Sequence, residues 1–390
     1  MTKRILLVGG GSGGHVFPLM AVAESLQKLA TQQGRGLKLT LLGEGKFFEE
    51  AARQSGLPYK KFMTGKMRRY FSLANLTDLP KMLIGLVQSF WYLFWLMPDA
   101  VFTKGGYASV PPAMAAKFFF IPLYVHDSDA IPGAANRWLG RLAKKVFISF
   151  EMARQYFRPD KTELTGNPIR NEILNGDRNQ ALSFFQLSNQ LPTVLVLGGS
   201  QGAQKINDIV VQSALKLTEK FQIIHQTGDL NYSAVQKSVE LELGNGVSKS
   251  ETPFPSRYRV YPFLDSTNLS LAYAAADVVV SRSGANLLSE ISALGKPAVV
   301  IPIKRSAANH QYYNAVEFSK FGGIIIEEDN LVPSVFINQI ENAYQNRAEL
   351  GQKIKGFVYP VRDREGPQRD PSSYGANLDA ADKIANSLLN

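Results

Sequence analysis

Apolar runs recur along the chain, each closing on glycine or a polar turn before a helix-period pattern begins. In the first half they are "RILLVGG" (4–10), "LKLTLLGEG" (37–45), "DAVFTKGG" (99–106), "IPLYVHDSD" (121–129) and "KKVFISF" (144–150). The pattern then restarts with "PTVLVLGGSQGA" (192–203), "FQIIHQTG" (221–228), "YRVYPFLD" (258–265), "ADVVVSRSGA" (276–285), "PAVVIPI" (297–303) and "GGIIIEED" (322–329). Continuous β-rich runs alternating with helices predict parallel sheets covered on both faces. The first strand of each half ends in a glycine loop that opens a helix, so the expected fold is α/β with two Rossmann-like domains. Gly and Pro in "TGNPIR" (165–170) break the pattern and mark the expected boundary. We place an N-terminal domain at 1–166, a C-terminal domain at 167–358, and a loop with a closing amphipathic helix at 359–390 that packs back on the N-terminal domain.

Ligands of open α/β sheets bind outside the carboxyl ends of the strands. The chain has four histidines, His15, His126, His225 and His310, and each follows an apolar strand-like run. Most of them are therefore expected to line a ligand site, His15 and His310 above all.

One stretch departs from the alternation. "MLIGLVQSFWYLFWLM" (82–97) is apolar almost all round, is bracketed by Pro80 and Pro98, and is too short for the ~20 apolar residues of a spanning helix. Upstream lies "YKKFMTGKMRRYF" (59–71), a basic cluster interleaved with aromatics. The pair reads either as a surface resting on an anionic membrane leaflet or as a core helix behind a solvated basic loop. The net charge of +10 points to an anionic partner: nucleic acid, a phosphorylated substrate or a membrane surface. The absence of cysteine excludes disulfides, thiolate metal sites and a cysteine nucleophile. The opening "MTKRILLVGG" runs straight into the glycine loop, so it reads as a first strand and not as a leader.

Four loops carry candidate chemistry. Gly9, Gly11 and Gly14 satisfy G-x-G-x-x-G between strand and helix, the dinucleotide fingerprint in its proper context. Its usual acidic companion is missing at the expected spacing, Glu44 being the nearest, and His15 would occupy the pyrophosphate's place. In the second half, "GGSQGA" (198–203) offers free N–H groups and the Ser200 hydroxyl at a helix N-terminus. "SRSGANLLSE" (281–290) does the same with Ser283, Gly284 and Ala285, and Glu290 two turns on can accept both hydroxyls of a ribose. "SAANHQYYNA" (306–315) adds a His310–Gln311 pair suited to sugar hydroxyls. Together these favour a nucleotide-sugar site over a dinucleotide site.

With "GGGSGGHVFP", "KGGYASVP" (104–111), "GNPIR" (166–170), "GGSQGA", "RSGANLLSEI" (282–291) and "HQYYNA" in this order, the chain resembles the MurG family from residue 5 to about 318. That family converts lipid I to lipid II, moving N-acetylglucosamine from UDP-N-acetylglucosamine to the undecaprenyl-pyrophosphoryl-muramoyl-pentapeptide. The resemblance implies a GT-B architecture of two facing Rossmann-like domains, no cofactor and no nucleic acid. It implies a cytoplasmic enzyme, peripheral on the inner face of the bacterial plasma membrane, with 59–97 as the membrane-docking surface. It assigns Glu290 to the uridine ribose, Arg170 and Ser200 to the diphosphate region, Ser283, Gly284 and Ala285 to the donor helix start, Phe263 and Leu264 to uracil, and His310 and Gln311 to the sugar. Gly13, Gly14 and His15, with Tyr107 and Asn136, fall on the acceptor side.

The chain departs from the family at "HDSDA" (126–130), where His-Glu-Gln-Asn is usual, so that Asp129 replaces an asparagine. Leu287 likewise stands where a polar phosphate-contacting residue is common. Asp127-Ser128-Asp129 also forms a D-x-D triplet, which in other glycosyltransferases holds a divalent metal. GT-B enzymes use helix termini instead, and no metal is expected. Inverting transfer needs a base for the attacking 4-hydroxyl. His15, kept neutral by the positive end of the first helix, is the expected base; alternatively His15 binds the acceptor pyrophosphate and Asp129 is the base.

Overall fold

The computed structural model describes residues 2–10, 13–65, 73–199, 202–244, 257–304, 306–358 and 380–390. The chain divides into two compact units, one built from the chain up to Arg170 together with the C-terminal helix, the other beginning at Asn171.

The first unit holds a seven-stranded parallel sheet among the described residues, in the order β3-β2-β1-β4-β5-β6-β7. Its strands are β1 (Lys3–Gly10), β2 (Leu37–Glu44), β3 (Tyr59–Lys61), β4 (Ala100–Thr103), β5 (Leu123–Asp127), β6 (Lys145–Ile148) and β7 (Thr162–Leu164). The central strands are buried on both faces, as β4 with its four buried residues illustrates, which is why they read as unbroken apolar runs. β3 and β7 are three-residue edge strands with no buried residue, "YKK" and "TEL". Neither carries an apolar run, and the sequence pattern missed both.

The second unit holds a six-stranded parallel sheet in the order β10-β9-β8-β11-β12-β13. These are β8 (Thr193–Leu197), β9 (Gln222–Gln226), β10 (Tyr258–Tyr261), β11 (Val278–Ser281), β12 (Ala298–Val300) and β13 (Ile324–Ile325). Each sheet is doubly wound, and its strand order reverses beside the first strand of the unit. The reversal lies between β1 and β4 in one unit and between β8 and β11 in the other. Such switch points are where open α/β sheets bind ligands, and each glycine loop leaves a strand there.

The C-terminal helix Ala380–Leu389 joins the core of the first unit, burying Ile384, Ala385 and Leu388 with Val22 and Leu26 of the first helix, Gly13–Gln32. Lys3 Nζ and Arg35 Nη1 donate to the Leu389 carbonyl at 2.6 and 3.2 Å, placing cations at the negative end of that helix.

The apolar stretch at 82–97 lies in a helix, Leu73–Leu96, that starts earlier than its bracketing prolines suggested and contains Pro80. Gly85, Ser89 and Leu93, four residues apart, form the buried stripe. Gly85 packs so tightly that a Cβ there would lie 2.0 Å from the Met63 carbonyl oxygen. The opposite face leaves Leu83, Ile84, Val87, Trp91, Phe94 and Trp95 exposed. Phe118, the last residue of the helix Val110–Phe118, and Phe120 just beyond it extend this apolar surface. No helix among the described residues is long and apolar enough to cross a membrane. The basic residues Lys66, Arg68 and Arg69 lie outside the described residues.

Candidate active site

At the switch point of the first unit, β1 leads to Gly13, Gly14 and His15 at the start of the first helix, with Gly11 and Ser12 outside the described residues. β4 leads to Lys104, Gly105, Gly106 and Tyr107, and β5 leads to Asp127, Ser128 and Asp129. Gly105 and Gly106 both have positive φ, 83° and 80°. A Cβ on Gly105 would overlap the Asn136 side chain at 1.6 Å, and one on Gly106 would lie 3.8 Å from His15 Nε2. The two glycines thus let the chain turn tightly beneath the histidine.

Asn136, whose side chain is buried, ties these loops together. It donates from Nδ2 to Asp127 Oδ2 at 2.6 Å and accepts at Oδ1 from the Gly106 N–H at 3.1 Å. Asp127 Oδ1 accepts from the Asp129 N–H at 3.0 Å, closing a turn that presents Asp129. Tyr107 is partly exposed at the rim. Its neighbours in the loop are held by Ser109, whose hydroxyl donates to the Gly105 carbonyl at 2.7 Å.

Sequence reasoning missed the centre of this cluster. Lys104 is 1% exposed, yet its Nζ lies 2.6 Å from His126 Nδ1 and 3.0 Å from Asn167 Oδ1 and donates to Ser128 Oγ. Three acceptors meet the three N–H donors of an ammonium. His126 Nε2 lies 2.9 Å from the Gly166 carbonyl, which fixes the tautomer protonated at Nε2 and leaves Nδ1 to accept from Lys104. The available signal was an ionisable residue at the end of an apolar strand, directly before two glycines.

The electrostatics follow from burial. Burial lowers the Lys104 ammonium to about 7, against the pull of Asp127 and Asp129. It pushes the Asp127 carboxyl up to about 7, with repulsion from Asp129 adding to the effect. Burial also holds the His15 ring below the ordinary imidazole value, and the Lys104 charge adds to this; Asp129 and a hydrogen bond to the Lys104 backbone oppose it. His15 is therefore mainly neutral at pH 7, with desolvation and the Lys104 charge as the causes in place of the helix end expected from the sequence. The ring nitrogen not committed to the Lys104 backbone can accept a proton.

The expectation that most of the histidines line a ligand site needs correction for two of them. His126 and His225 lie inside β5 and β9, fully buried, and not in the loops that leave them. His225 is held between the Tyr258 hydroxyl (2.7 Å from Nδ1) and Asn207 Oδ1 (3.1 Å from Nε2), a satisfied structural imidazole. Glu44 does not present a free carboxylate to a ribose: its Oε2 accepts from the Thr64 N–H at 2.9 Å and from the Thr64 hydroxyl at 2.5 Å. The dinucleotide reading of the first loop thus loses the one acidic residue it could have used.

Arg170 stacks its guanidinium 4.0 Å from the centroid of the Phe17 ring, on the first helix. It is buried at the end of the first unit. Of the D-x-D pair, the Asp127 carboxylate is engaged on both oxygens, by Asn136 and by the Asp129 N–H, and the buried Lys104 is a nearby cation. No group of three or more metal-ligating side chains is present among the described residues.

In the second unit, the loop after β8 has Gly199 and Gly202 at φ 85° and 75° and opens the helix Gln204–Lys220; Ser200 lies outside the described residues. A Cβ on Gly202 would approach the Thr227 carbonyl oxygen to 2.3 Å, so only glycine fits. The loop after β11 opens the helix Ala285–Ala293, with Gly284 as its N-cap and no side chain capping its first N–H groups. Glu290, buried on that helix, accepts from the Tyr273 hydroxyl at Oε2, 3.1 Å. Ser283 spends its hydroxyl on the Gln311 carbonyl at 2.7 Å, so what it and its neighbours offer an anion is backbone N–H.

The loop that positions His310 is backbone-strained: Ala308 and Asn309 both have left-handed φ, 53° and 52°. Gln311 Oε1 accepts from the Ile303 N–H at 3.2 Å, and Asn314 Nδ2 donates to the Ser283 carbonyl at 3.2 Å. The loops after β11 and β12 are thereby locked to one another, with His310 and Gln311 half-buried beside Ser283. Leu264 is buried while Phe263 is 38% exposed. Gln226 joins this loop to the glycine loop, accepting from the Leu264 N–H at 3.0 Å and donating to the Gly199 carbonyl at 3.3 Å. Gln226 and Tyr273, like Lys104, carry no motif of their own.

Comparison with known proteins agrees with this layout. Residues 5–148 match the glycosyltransferase family 28 N-terminal domain and residues 193–363 its C-terminal domain. The chain is 34% identical over 369 residues to the UDP-N-acetylglucosamine–N-acetylmuramyl-(pentapeptide) pyrophosphoryl-undecaprenol N-acetylglucosamine transferase of Treponema denticola, covering 91% of this chain and 92% of that one. It is 33% identical to the enzyme of the same name from Legionella pneumophila strain Paris, covering 92% and 93%. The crystal structure of Acinetobacter baumannii MurG superposes with a TM-score of 0.67 over 99% of both chains at 24% identity, a likeness of fold. The chain belongs to glycosyltransferase family 28 and, within it, to the MurG family.

Proposed function

We propose that this protein transfers N-acetylglucosamine from UDP-N-acetylglucosamine to the 4-hydroxyl of the muramoyl sugar of lipid I, with inversion, forming lipid II. The observation that carries the mechanism is the neutral His15 ring beside Asp129 at the first switch point, with one nitrogen able to accept a proton. The relatives' names supply the substrates.

In this reading the acceptor pyrophosphate lies on Gly13 and Gly14 at the first helix N-terminus, where N–H groups and the helix dipole favour an anion. Tyr107 and Asn136 complete the acceptor side. The 4-hydroxyl oxygen attacks the anomeric carbon from the face opposite the nucleotide. Its proton passes to His15, and the bond to the diphosphate breaks with its electron pair leaving on UDP. Charge building on the diphosphate meets N–H groups of the 199–203 loop, Ser200 within it, and of the 283–285 turn, with Arg170 as the cation. Glu290 binds the ribose hydroxyls with Tyr273 holding one of its oxygens. Phe263 and the Leu264 backbone frame uracil, and His310 and Gln311 bind the sugar. No cofactor or metal takes part.

The exposed apolar face of Leu73–Leu96 and the basic cluster upstream support docking on an anionic membrane, the inner face of the bacterial plasma membrane. Turnover of a lipid I analogue with UDP-N-acetylglucosamine tests the whole reading. Lipid II should form in the absence of divalent metal. A protein that binds the donor in a thermal-shift titration but makes no product is instead a non-catalytic sugar-nucleotide binder.

A further inference from the structure

At 126–129 this chain carries two carboxylates, Asp127 and Asp129, where the family pattern noted above has one, and a lysine with almost no exposed surface, Lys104, stands close to both. Lys104 reaches across from the end of β4 to three acceptors on two segments. His126 Nδ1 and Ser128 Oγ belong to the strand and turn that carry Asp129, and Asn167 Oδ1 belongs to the segment after β7. Ser128 Oγ donates in turn to Asn167 Oδ1 at 3.0 Å, so the ring of contacts closes. A buried ammonium with complete partners is costly to disturb and is held in one place.

We propose that Lys104 is a positioning residue for the transfer, its ammonium pinning the 127–129 turn so that Asp129 stands beside the His15 ring, and balancing the charge that Asp129 brings. This rests on the transferase reading, but its electrostatic content can be measured without it. The charged and titratable groups around the pair are Lys104 from β4, His126, Asp127 and Asp129 from β5 and its turn, and His15 from the first helix. Lys104 and Asp129 act on His15 in opposite directions. Removing one should leave the other unopposed, and removing both should restore the balance.

The test is a double-mutant cycle of Lys104→Met and Asp129→Asn in the full-length protein, read by ¹³C-histidine NMR titration and by kinetics. With four histidines in the chain, His15 is assigned by its loss in His15→Gln. Lys104→Met should raise the His15 midpoint, Asp129→Asn should lower it, and the double variant should fall between them, near wild type. Lys104→Met should also cut kcat by about tenfold or more, with KM for UDP-N-acetylglucosamine within about twofold, the split expected when positioning is lost and donor binding is kept. An unmoved His15 midpoint in Lys104→Met, with the His225 signal intact as evidence of folding, overturns the proposal. So does a loss confined to donor KM. Should Lys104→Met fail to fold, Asn167→Ala removes one acceptor and keeps the charge. It should lower kcat while leaving donor KM unchanged, and wild-type kcat in that variant overturns the proposal. Wild-type turnover tests the transferase reading, and the histidine titration tests the Lys104 link whatever that turnover is.

Discussion

At the scale of single residues, the decisive distinction is between an imidazole that binds a phosphate and one that takes a proton. A phosphate binder works better charged, whereas burial and Lys104 hold His15 below its ordinary pKa. His15→Ala should therefore lower turnover by the 10²–10⁴-fold typical of a lost general base, with donor affinity unchanged by calorimetry. His15→Gln should rescue little, since glutamine hydrogen-bonds but does not take the proton; retention of most turnover in that variant moves the search for the base to Asp129. The lowered value also sets the sign of the pH dependence: the base form persists below pH 6.5, so the acid limb of kcat should lie below that of a free imidazole. His15 was legible because a histidine inside a glycine loop is chemically odd. Lys104, Tyr273 and Gln226 were not, because a lysine, a tyrosine and a glutamine become informative only when the fold brings their partners to them. Lys104 meets Asn167 across 63 positions of sequence, a closeness no local pattern encodes.

At the scale of elements, the helix Ala285–Ala293 is both a scaffold and a binding device. Its N-terminus has no side-chain cap, which in the proposed reading leaves N–H groups for a diphosphate, and Glu290 sits on the same helix. Glu290→Ala should weaken UDP-sugar binding by about 1.5–3 kcal/mol, the range for a hydrogen bond to a charged group, with the far-ultraviolet spectrum unchanged. Equal donor affinity in mutant and wild type removes Glu290 from the ribose site. Tyr273→Phe should cost less, about 0.5–1.5 kcal/mol, because it frees one carboxylate oxygen without removing it. His225 ties β9 to β10 through Tyr258 and to the helix Gln204–Lys220 through Asn207. Burial drops its pKa from 6.5 to about 3, so the unfolded chain takes up a proton that the folded one refuses. The stability this protects is present above pH 6.5, declines as pH falls below 6.5, and is fully lost near 3. The slope is about 1.4 kcal/mol per pH unit for this one proton. Urea unfolding between pH 7 and 4 should show that slope reduced in His225→Gln; an unchanged slope assigns acid lability elsewhere. The core strands of both sheets were legible because burial on both faces leaves an apolar run. The edge strands β3 and β7 were not, since an edge needs backbone pairing and little apolar area.

At the scale of the whole molecule, the two sheets repeat one plan, a glycine loop and a second loop flanking a switch point. The first unit adds to that plan an apolar outer face. The sequence left open whether 82–97 is a core helix or a surface one, because an apolar run of that length has no period that decides it. The structure buries one stripe, Gly85, Ser89 and Leu93, and leaves Trp91 and Trp95 more than half exposed. These two rings meet edge to face at 5.6 Å, and Phe94 packs against Trp95 at 5.6 Å, a connected aromatic surface. Exposure of so much contiguous apolar area is unfavourable in water and marks an interaction surface. With a basic segment just upstream in the sequence, the proposed occupant is an anionic bilayer, where Trp rings settle at the headgroup level. Full burial of one large side chain is worth about 1.5–3 kcal/mol, so Trp91→Ser and Trp95→Ser should each weaken binding to anionic vesicles by roughly tenfold. Replacing Lys66, Arg68 and Arg69 with Ser should cost ~1 kcal/mol per charge and make the residual binding insensitive to salt. Both sets should leave turnover of a water-soluble acceptor analogue intact; Trp91 and Trp95 lie on the exposed face of Leu73–Leu96 and not among the groups at the switch point. Vesicle binding that survives both sets of changes would assign this face to a protein partner, and it would require the lipid-linked acceptor to reach His15 without the membrane contact argued here.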